Sequence, residues 1–410
     1  MRAFTLPLTL TTALCAAPAL AQTQFEFWHA FTGKNGNAVD AMAAKFNAAQ
    51  DDYEMVPVYT GKYDEGTQRL QAAIAGNTAP AMVMLEITRY GLFAERGALE
   101  PLAPYMEAAG SDWSDQIRPF AMEASKYLGE SYVIPFNVST PVMYYNADLF
   151  EAAGITEVPD TWDEVLAAAQ TLTDGEGQYG LNPPPQWVRW AMTNQAGGGW
   201  VDPLDNAVQI DMDESIFAYQ TAADWVNVHQ VASYDAALDD DLADQFFAEG
   251  RVGIEFNSTG RLARYLDEMP FEVGVAPLPC QAVCAAPIGG ATLGIVASAE
   301  DEQKQGAWAF IQFATTPENS AFIFTDTGYL PIVEGAMETP EAQAAIEANP
   351  GYLVASNQLD IAFARARPPA MPAIRSAEPA VWQSIVTQQQ DAETALTDFA
   401  NQMRGMLATN

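Results

Sequence analysis

Residues 24–29 (QFEFWH) alternate aromatic with polar side chains, the period of two of a strand with one buried face. Over residues 33–50 the period becomes helical, with Val39, Met42, Ala43 and Phe46 on one side. The exchange then repeats. Residues 53–59 predict a strand, and 63–76 predict a helix with Leu70, Ala73 and Ile74 apolar. Residues 81–86 predict a short buried strand ending in an acid, and 87–96 a helix halted by Gly97. Strand alternating with helix predicts a mostly parallel sheet covered on both faces.

Further on the pattern changes. Residues 132–146 (YVIPFNVSTPVMYYN) form a long extended run broken by Pro135 and Pro141. A helix over 147–154 stops at Gly154, and Thr161 caps another, with Glu164 completing a capping box. The Gly- and Pro-rich stretch 175–199 reads as loop. Residues 215–231 and 302–314 predict helices, and 251–256 and 271–276 predict strands. Asp239, Asp240 and Asp241 read as the solvated start of a helix carrying Phe246 and Phe247. Residues 288–297 (IGGATLGIVA) predict a glycine-laced strand. There is no internal repeat.

A chain of 410 residues suggests two or three domains at about 100–200 residues each. Hydrophobic residues make up 49% and charged residues 17%, enough to build a sizeable core and to exclude disorder. The formal net charge of −35 disfavours nucleic acid and anionic membranes as partners and favours solubility. Arg2, an apolar stretch and the small-x-small pattern Ala19-Leu20-Ala21 predict a secretory signal over 1–21, cut before Gln22. That places the mature chain in the periplasm. Cys15 leaves with the signal, while Cys280 and Cys284 are expected to pair in an oxidising compartment.

Little in the sequence supports enzymatic chemistry. His29 and His229 are the two histidines, far apart, so a His-based metal site or triad lacks material. No G-x-S-x-G or H-E-x-x-H is present. Gly175, Gly177 and Gly180 match G-x-G-x-x-G, but prolines follow where a helix must begin. No cofactor and no metal is expected. Abundant carboxylates leave an exported carboxylate-dependent hydrolase as an alternative class.

Six segments then acquire meaning together: FWHAFTG (27–33), GKYDEG (61–66), PFNVSTPVMYYN (135–146), GGATLGI (289–295), TGYLPI (327–332) and MPAIR (371–375). In this order and spacing the chain resembles the maltose-binding-protein-like solute receptors of bacterial ABC importers, and among them the glycerol-3-phosphate receptors. The resemblance covers nearly the whole mature chain and is weakest over about 156–248. It implies an α/β protein of two lobes joined by several chain crossings, with ligand in the cleft between them. The crossings would lie near 136–143, in 289–295 and after Tyr329. Lobe one would be 22–138 plus 292–333, and lobe two 139–291 plus 334–410. It also implies a non-enzymatic, monomeric receptor that passes glycerol-3-phosphate, or a diester such as glycerophosphocholine, to permease subunits. A neutral sugar would fit the same architecture.

The resemblance places ligand contacts at Tyr63, Glu86, Ser139, Ser258, Gly290, Tyr329 and Arg375. Glu86, just past a buried strand, would accept hydrogen bonds from glycerol hydroxyls. Tyr63 opens a helix and would cover the ligand. Ser139 and Ser258, in turn-like sequences, would donate, although either suits a helix cap. Gly290 lets backbone approach an anion, and Tyr329 would present its hydroxyl from a constrained turn. Arg375, one of few cations in an acidic chain, would hold the phosphate, with Arg367 next in line and an internal salt bridge as the competing role. In PPPQWVRW (183–190), Trp187 or Trp190 would stack on the ligand. Arg261 stands where a small polar residue is expected and would add a second phosphate cation or fill head-group space.

Overall fold

The computed structural model describes residues 22–408, so the expected signal and its cleavage edge lie outside the described residues. Thr23–His29 pairs in parallel with Tyr53–Tyr59 on one side and Met82–Glu86 on the other, and two helices, Gly33–Ala49 and Tyr63–Ala75, connect them. Helical crossovers of this kind cover a parallel sheet, and Val39, Met42 and Phe46 are buried against Phe25, Phe27 and Phe310. Two antiparallel strands complete this five-stranded sheet. Gly289–Ile295 pairs with Met82–Glu86, and Val133–Ser139 pairs with Gly289–Ile295.

One residue, Thr140, separates Val133–Ser139 from Pro141–Asn146, which belongs to a different sheet. That sheet runs Val273–Ala276, Pro141–Asn146, Val252–Ser258, Tyr179–Leu181. Pro135 is tolerated because Val133–Ser139 is the edge strand of its sheet and its register shifts there, and Pro141 because it opens the next strand at the change of sheet. The chain returns to the first sheet at Gly289–Ile295. It passes the Val138–Leu330 and Ile117–Val333 bridges before its C-terminal helices, including Met371–Val386 and Ala392–Ala408. A second core, with Trp162, Trp190, Trp200, Trp225, Phe256, Trp382 and Phe399, underlies the second sheet.

The stretch read as loop over 175–199 contains the strand Tyr179–Leu181 and the helix Gln186–Ala196. The prolines misled. Pro185 is the cap residue of that helix, where a missing N–H is harmless, and Gly197 ends it at φ 105°. The helix expected over 87–96 is shorter, Tyr90–Glu95, because Glu86 accepts from the Thr88 amide (2.9 Å) and hydroxyl (2.5 Å) and holds 87–89 in a turn. Asp239 caps the helix Asp240–Ala248 through the amides of Asp241 and Leu242. Cys280 and Cys284 are disulfide-bonded. Among the described residues no helix is long and apolar enough to cross a membrane.

Candidate functional site

Between the two sheets lies a cavity of about 430 Å³. Tyr63, Glu86, Ser139, Trp187, Ser258, Gly290, Tyr329 and Arg375 all line it. Each element delivers its residue by its end. Glu86 ends the strand Met82–Glu86, Ser139 ends Val133–Ser139, and Tyr63 is the first residue of its helix. Strand and helix ends converge on the cleft because the two sheets abut there.

Glu86 is the hub. Arg365 donates to its Oε1, Arg375 reaches Oε2 at 2.9 Å, and the Arg89 Nε stands 3.9 Å from Oε2. Burial would push this carboxyl up, but Arg365, Arg375, Arg89 and Thr88 overcome it and hold it well below the usual carboxylate range. Arg89 also pairs with Asp64 at 2.6 Å. Three guanidiniums thus meet two carboxylates, leaving one positive charge in surplus. The internal salt bridge weighed for Arg375 is therefore present, on a residue that also faces the cavity. Arg375 further donates to Gln186 Oε1 (3.1 Å) and Thr88 Oγ1 (3.3 Å).

Arg365, absent from the sequence-based set, lines the cavity in the place considered for Arg367. Burial pulls its guanidinium down to about 10, which leaves it charged at neutral pH beside Glu86. Arg367 instead donates to the Lys126 and Glu123 carbonyls and is no cavity cation. Alternation along ARARPP makes the two arginines equivalent, so no local signal distinguishes them.

Unpartnered donors and acceptors gather nearby. The Tyr63 hydroxyl, Trp187 Nε1 and both amide atoms of Asn137 are buried without a hydrogen-bond partner. Tyr63, Tyr329 and Asn137 neighbour one another, and burial raises both hydroxyls, Tyr329 to about 12. They are neutral donors at any physiological pH. Trp190 takes no part: it is buried and stacks on Trp200 at 4.6 Å. Trp187, three residues nearer the Pro185 cap, is the cavity tryptophan. Ser139 is a buried strand residue rather than a turn residue. Ser258 does cap a short turn, accepting from the Gly260 amide at 3.1 Å, while its side chain borders the cavity. Arg261 lines the cavity as well.

The helix Asp240–Ala248 contributes Asp240, Asp241 and Asp244, and the strand Val252–Ser258 contributes Glu255. Asp244 is satisfied by Arg264 and the Tyr265 hydroxyl. Glu255 is buried and held by the amides of Asn182 (2.5 Å) and Asn257 (2.8 Å), with no cation in contact. Burial lifts its carboxyl from 4.5 to about 8. A raised pKa means the folded state binds the extra proton between those values, so stability falls as pH rises from about 4.5 to 8. Glu255→Gln is expected to flatten that part of the pH–stability profile. Melting temperatures of both proteins from pH 5 to 9 check this, and parallel curves would contradict it.

Comparison with known proteins places this geometry. The family model described as bacterial extracellular solute-binding protein matches residues 41–350. The sn-glycerol-3-phosphate-binding periplasmic protein UgpB of Salmonella typhimurium is 30% identical over 415 residues, 94% of this chain and 93% of that protein. UgpB from Mycobacterium tuberculosis, solved in complex with glycerophosphocholine, superposes with a TM-score of 0.85 at 25% identity, covering 95% of this chain and 99% of that one. The ABC substrate-binding protein Lmo0181 from Listeria monocytogenes, in complex with cycloalternan, matches with a TM-score of 0.85 at 21% identity, covering 94% and 99%, which shows the fold.

Proposed function

The chain belongs to the family of bacterial extracellular solute-binding proteins, and from that membership we propose that it captures glycerol-3-phosphate or a glycerophosphodiester for the permease of an ABC importer. The carrying observation is the surplus guanidinium charge around Glu86 in a chain of net charge −35. Clustered arginines facing a cavity, in a protein otherwise depleted of cations, suit a phosphate that takes charge-assisted hydrogen bonds. Global charge does not oppose this, because surface carboxylates are screened over about 8 Å at physiological ionic strength. The neutral donors Tyr63 and Trp187 suit the remaining phosphate or glycerol oxygens. The Asp240, Asp241 and Asp244 wall suits the cationic head of a diester such as glycerophosphocholine, the ligand in the mycobacterial relative's structure.

In this reading Arg375 is the phosphate ligand, Glu86 accepts glycerol hydroxyls, and Tyr63, Ser139, Trp187, Ser258, Gly290 and Tyr329 complete the enclosure. Calorimetry with glycerol-3-phosphate, glycerophosphocholine and maltose tests it. Binding of the phosphate compounds and not maltose is expected; binding of maltose alone would make the protein a neutral-sugar receptor.

The lobe division at 138/139, 291/292 and 333/334 forms part of the same proposal, supported by the change of sheet at Thr140. So do single-chain action and export by removal of 1–21, for which the intact mass of envelope protein should place the N-terminus at Gln22. Contacts that span the cleft include the ion pairs of Arg365 and Arg375 with Glu86, of Lys34 with Asp267 and of Lys62 with Asp241 at 2.7 Å, and the Asn35 amide donates to the Gly260 carbonyl at 3.2 Å. The Lys62 pair is exposed and contributes little, whereas the Glu86 pairs are buried beside the cavity. Saturating glycerol-3-phosphate is expected to reduce the radius of gyration in small-angle scattering, as hinge closure requires. An unchanged profile at demonstrated saturation would refute closure.

A further inference from the structure

We propose that Arg365 is a positioning residue that frees Arg375 for the ligand: by keeping Glu86 paired, it lets Arg375 transfer from that carboxylate to an incoming phosphate. The inference rests on the phosphate reading above.

The two arginines differ in how they are held. Arg365 has a side-chain exposure of 2%, and its Nε donates to the Ile288 carbonyl at 2.9 Å. Its guanidinium lies 5.8 Å from the Trp187 ring centre and 5.3 Å from that of Trp190. Its backbone is fixed too, because Ala286–Pro287 pairs with Ala362–Phe363 just ahead of it. These contacts hold the Arg365 guanidinium against Glu86. Arg375 is more exposed, at 16%, and sits in the first turns of the helix Met371–Val386. Apart from Glu86 its contacts are neutral oxygens of Gln186 and Thr88.

The partners of Glu86 complete the case. Its Oε1 belongs to Arg365, while Oε2 takes the Thr88 amide, the Thr88 hydroxyl and Arg375. When Arg375 leaves, Oε2 keeps both Thr88 donors and Oε1 keeps its guanidinium, so no buried charge is orphaned. Without Arg365 the carboxylate would depend on Arg375, and the same movement would strand it. Arg89 cannot substitute, since its Nε is 3.9 Å away and its Nη1 is committed to Asp64. The monoester phosphate of glycerol-3-phosphate, carrying more charge than a carboxylate and three free oxygens, is the stronger competitor for Arg375.

Calorimetry with glycerol-3-phosphate on wild type, Arg365→Gln, Arg375→Ala and the double variant tests this, with thermal melts alongside. Arg365→Gln is expected to weaken binding by about tenfold or more. In that background Arg375→Ala should weaken it only about threefold further, against at least about 30-fold in wild type. A purely structural Arg365 would lower melting and leave the two effects independent, and independence overturns the proposal. A crystal structure of wild-type protein with glycerol-3-phosphate decides the matter even where Arg365→Gln does not fold. Arg375 on the phosphate with Arg365 still on Glu86 supports it; Arg365 on the phosphate, or Arg375 still on Glu86, overturns it. Wild type that binds no glycerol-3-phosphate overturns the phosphate reading and this inference together. Wild-type binding unchanged by Arg365→Gln overturns this inference alone.

Discussion

Arg375→Ala is expected to lose about 30- to 1000-fold in affinity for glycerol-3-phosphate while melting close to wild type. A hydrogen bond to a charged group contributes about 1.5–3 kcal/mol, and truncation also leaves phosphate charge poorly paired, so a total of about 2–4 kcal/mol follows. Folding is spared for a reason visible around Glu86. Truncation takes one donor from its Oε2, and the Thr88 amide and hydroxyl and Arg365 remain. The aliphatic stem adds little, because the residue lies at the cleft edge of its helix rather than in the apolar core. Arg375→Lys should recover part of the loss, since an ammonium lacks the planar fork that reaches Gln186 and Glu86 together. Calorimetry and melts on the three proteins measure both quantities. Wild-type affinity in Arg375→Ala would make the Glu86 ion pair its whole role and place the phosphate elsewhere. A steep drop in melting temperature with unchanged affinity would say the same more strongly.

Much of the fold was legible because period and punctuation agreed. The 24–29 alternation, the 33–50 helical face and the Gly97 stop are local signals, and tertiary packing did not override them. Residues 175–199 failed because Pro183, Pro184 and Pro185 read as helix breakers, whereas proline before a first turn starts a helix. The candidate site was legible differently. Tyr63, Glu86, Ser139, Trp187, Ser258, Gly290, Tyr329 and Arg375 come from separate segments, and no periodicity links them. The resemblance brought them together, and the structure places all eight on one cavity. Glu255 was readable and passed over. In VGIEFNS, Val252, Ile254 and Phe256 occupy one face, so the acid must lie with Asn257 on the other, where the cavity is. Asp240 and Asp244 were hidden by their capping context, since a charge run at a helix start has an ordinary explanation. Arg365 was beyond reach, because its role depends on an Ile288 carbonyl and a Glu86 carboxylate, each more than 75 residues away in sequence.

Gly290→Ala and Gly289→Ala are expected to fail in two different ways, although the residues are adjacent in one strand. Gly290 has φ 102°, which L side chains rarely adopt, and a Cβ there would fall 1.8 Å from the Asn137 carbonyl oxygen and 2.8 Å from its carbon. That obstacle is backbone of the neighbouring strand Val133–Ser139, which carries the chain to the crossing at Thr140, so it cannot turn aside. The strand register already shifts between Ala291 and Thr292, and the Gly290 carbonyl accepts the Ile87 amide at 3.1 Å. Left-handed strain of about 1–2 kcal/mol and overpacking of about 1–3 kcal/mol together predict a loss of roughly 2–5 kcal/mol. At about 2–4 °C per kcal/mol for a domain of this size, melting should fall by roughly 5–20 °C. At Gly289 the obstacle is the Trp187 ring edge, 2.5 Å from a new Cβ, with Ser139 Oγ at 3.1 Å. A ring at a cavity wall can swing into the cavity, so most of the damage transfers to the ligand space. Gly289→Ala should therefore melt within a few degrees of wild type and weaken glycerol-3-phosphate binding by about tenfold. Paired melts and calorimetry separate the two. Equal stability losses would mean that Trp187 is fixed and both glycines serve the crossing. Normal melting of Gly290→Ala would mean that the two strands slide apart more readily than their ladder implies.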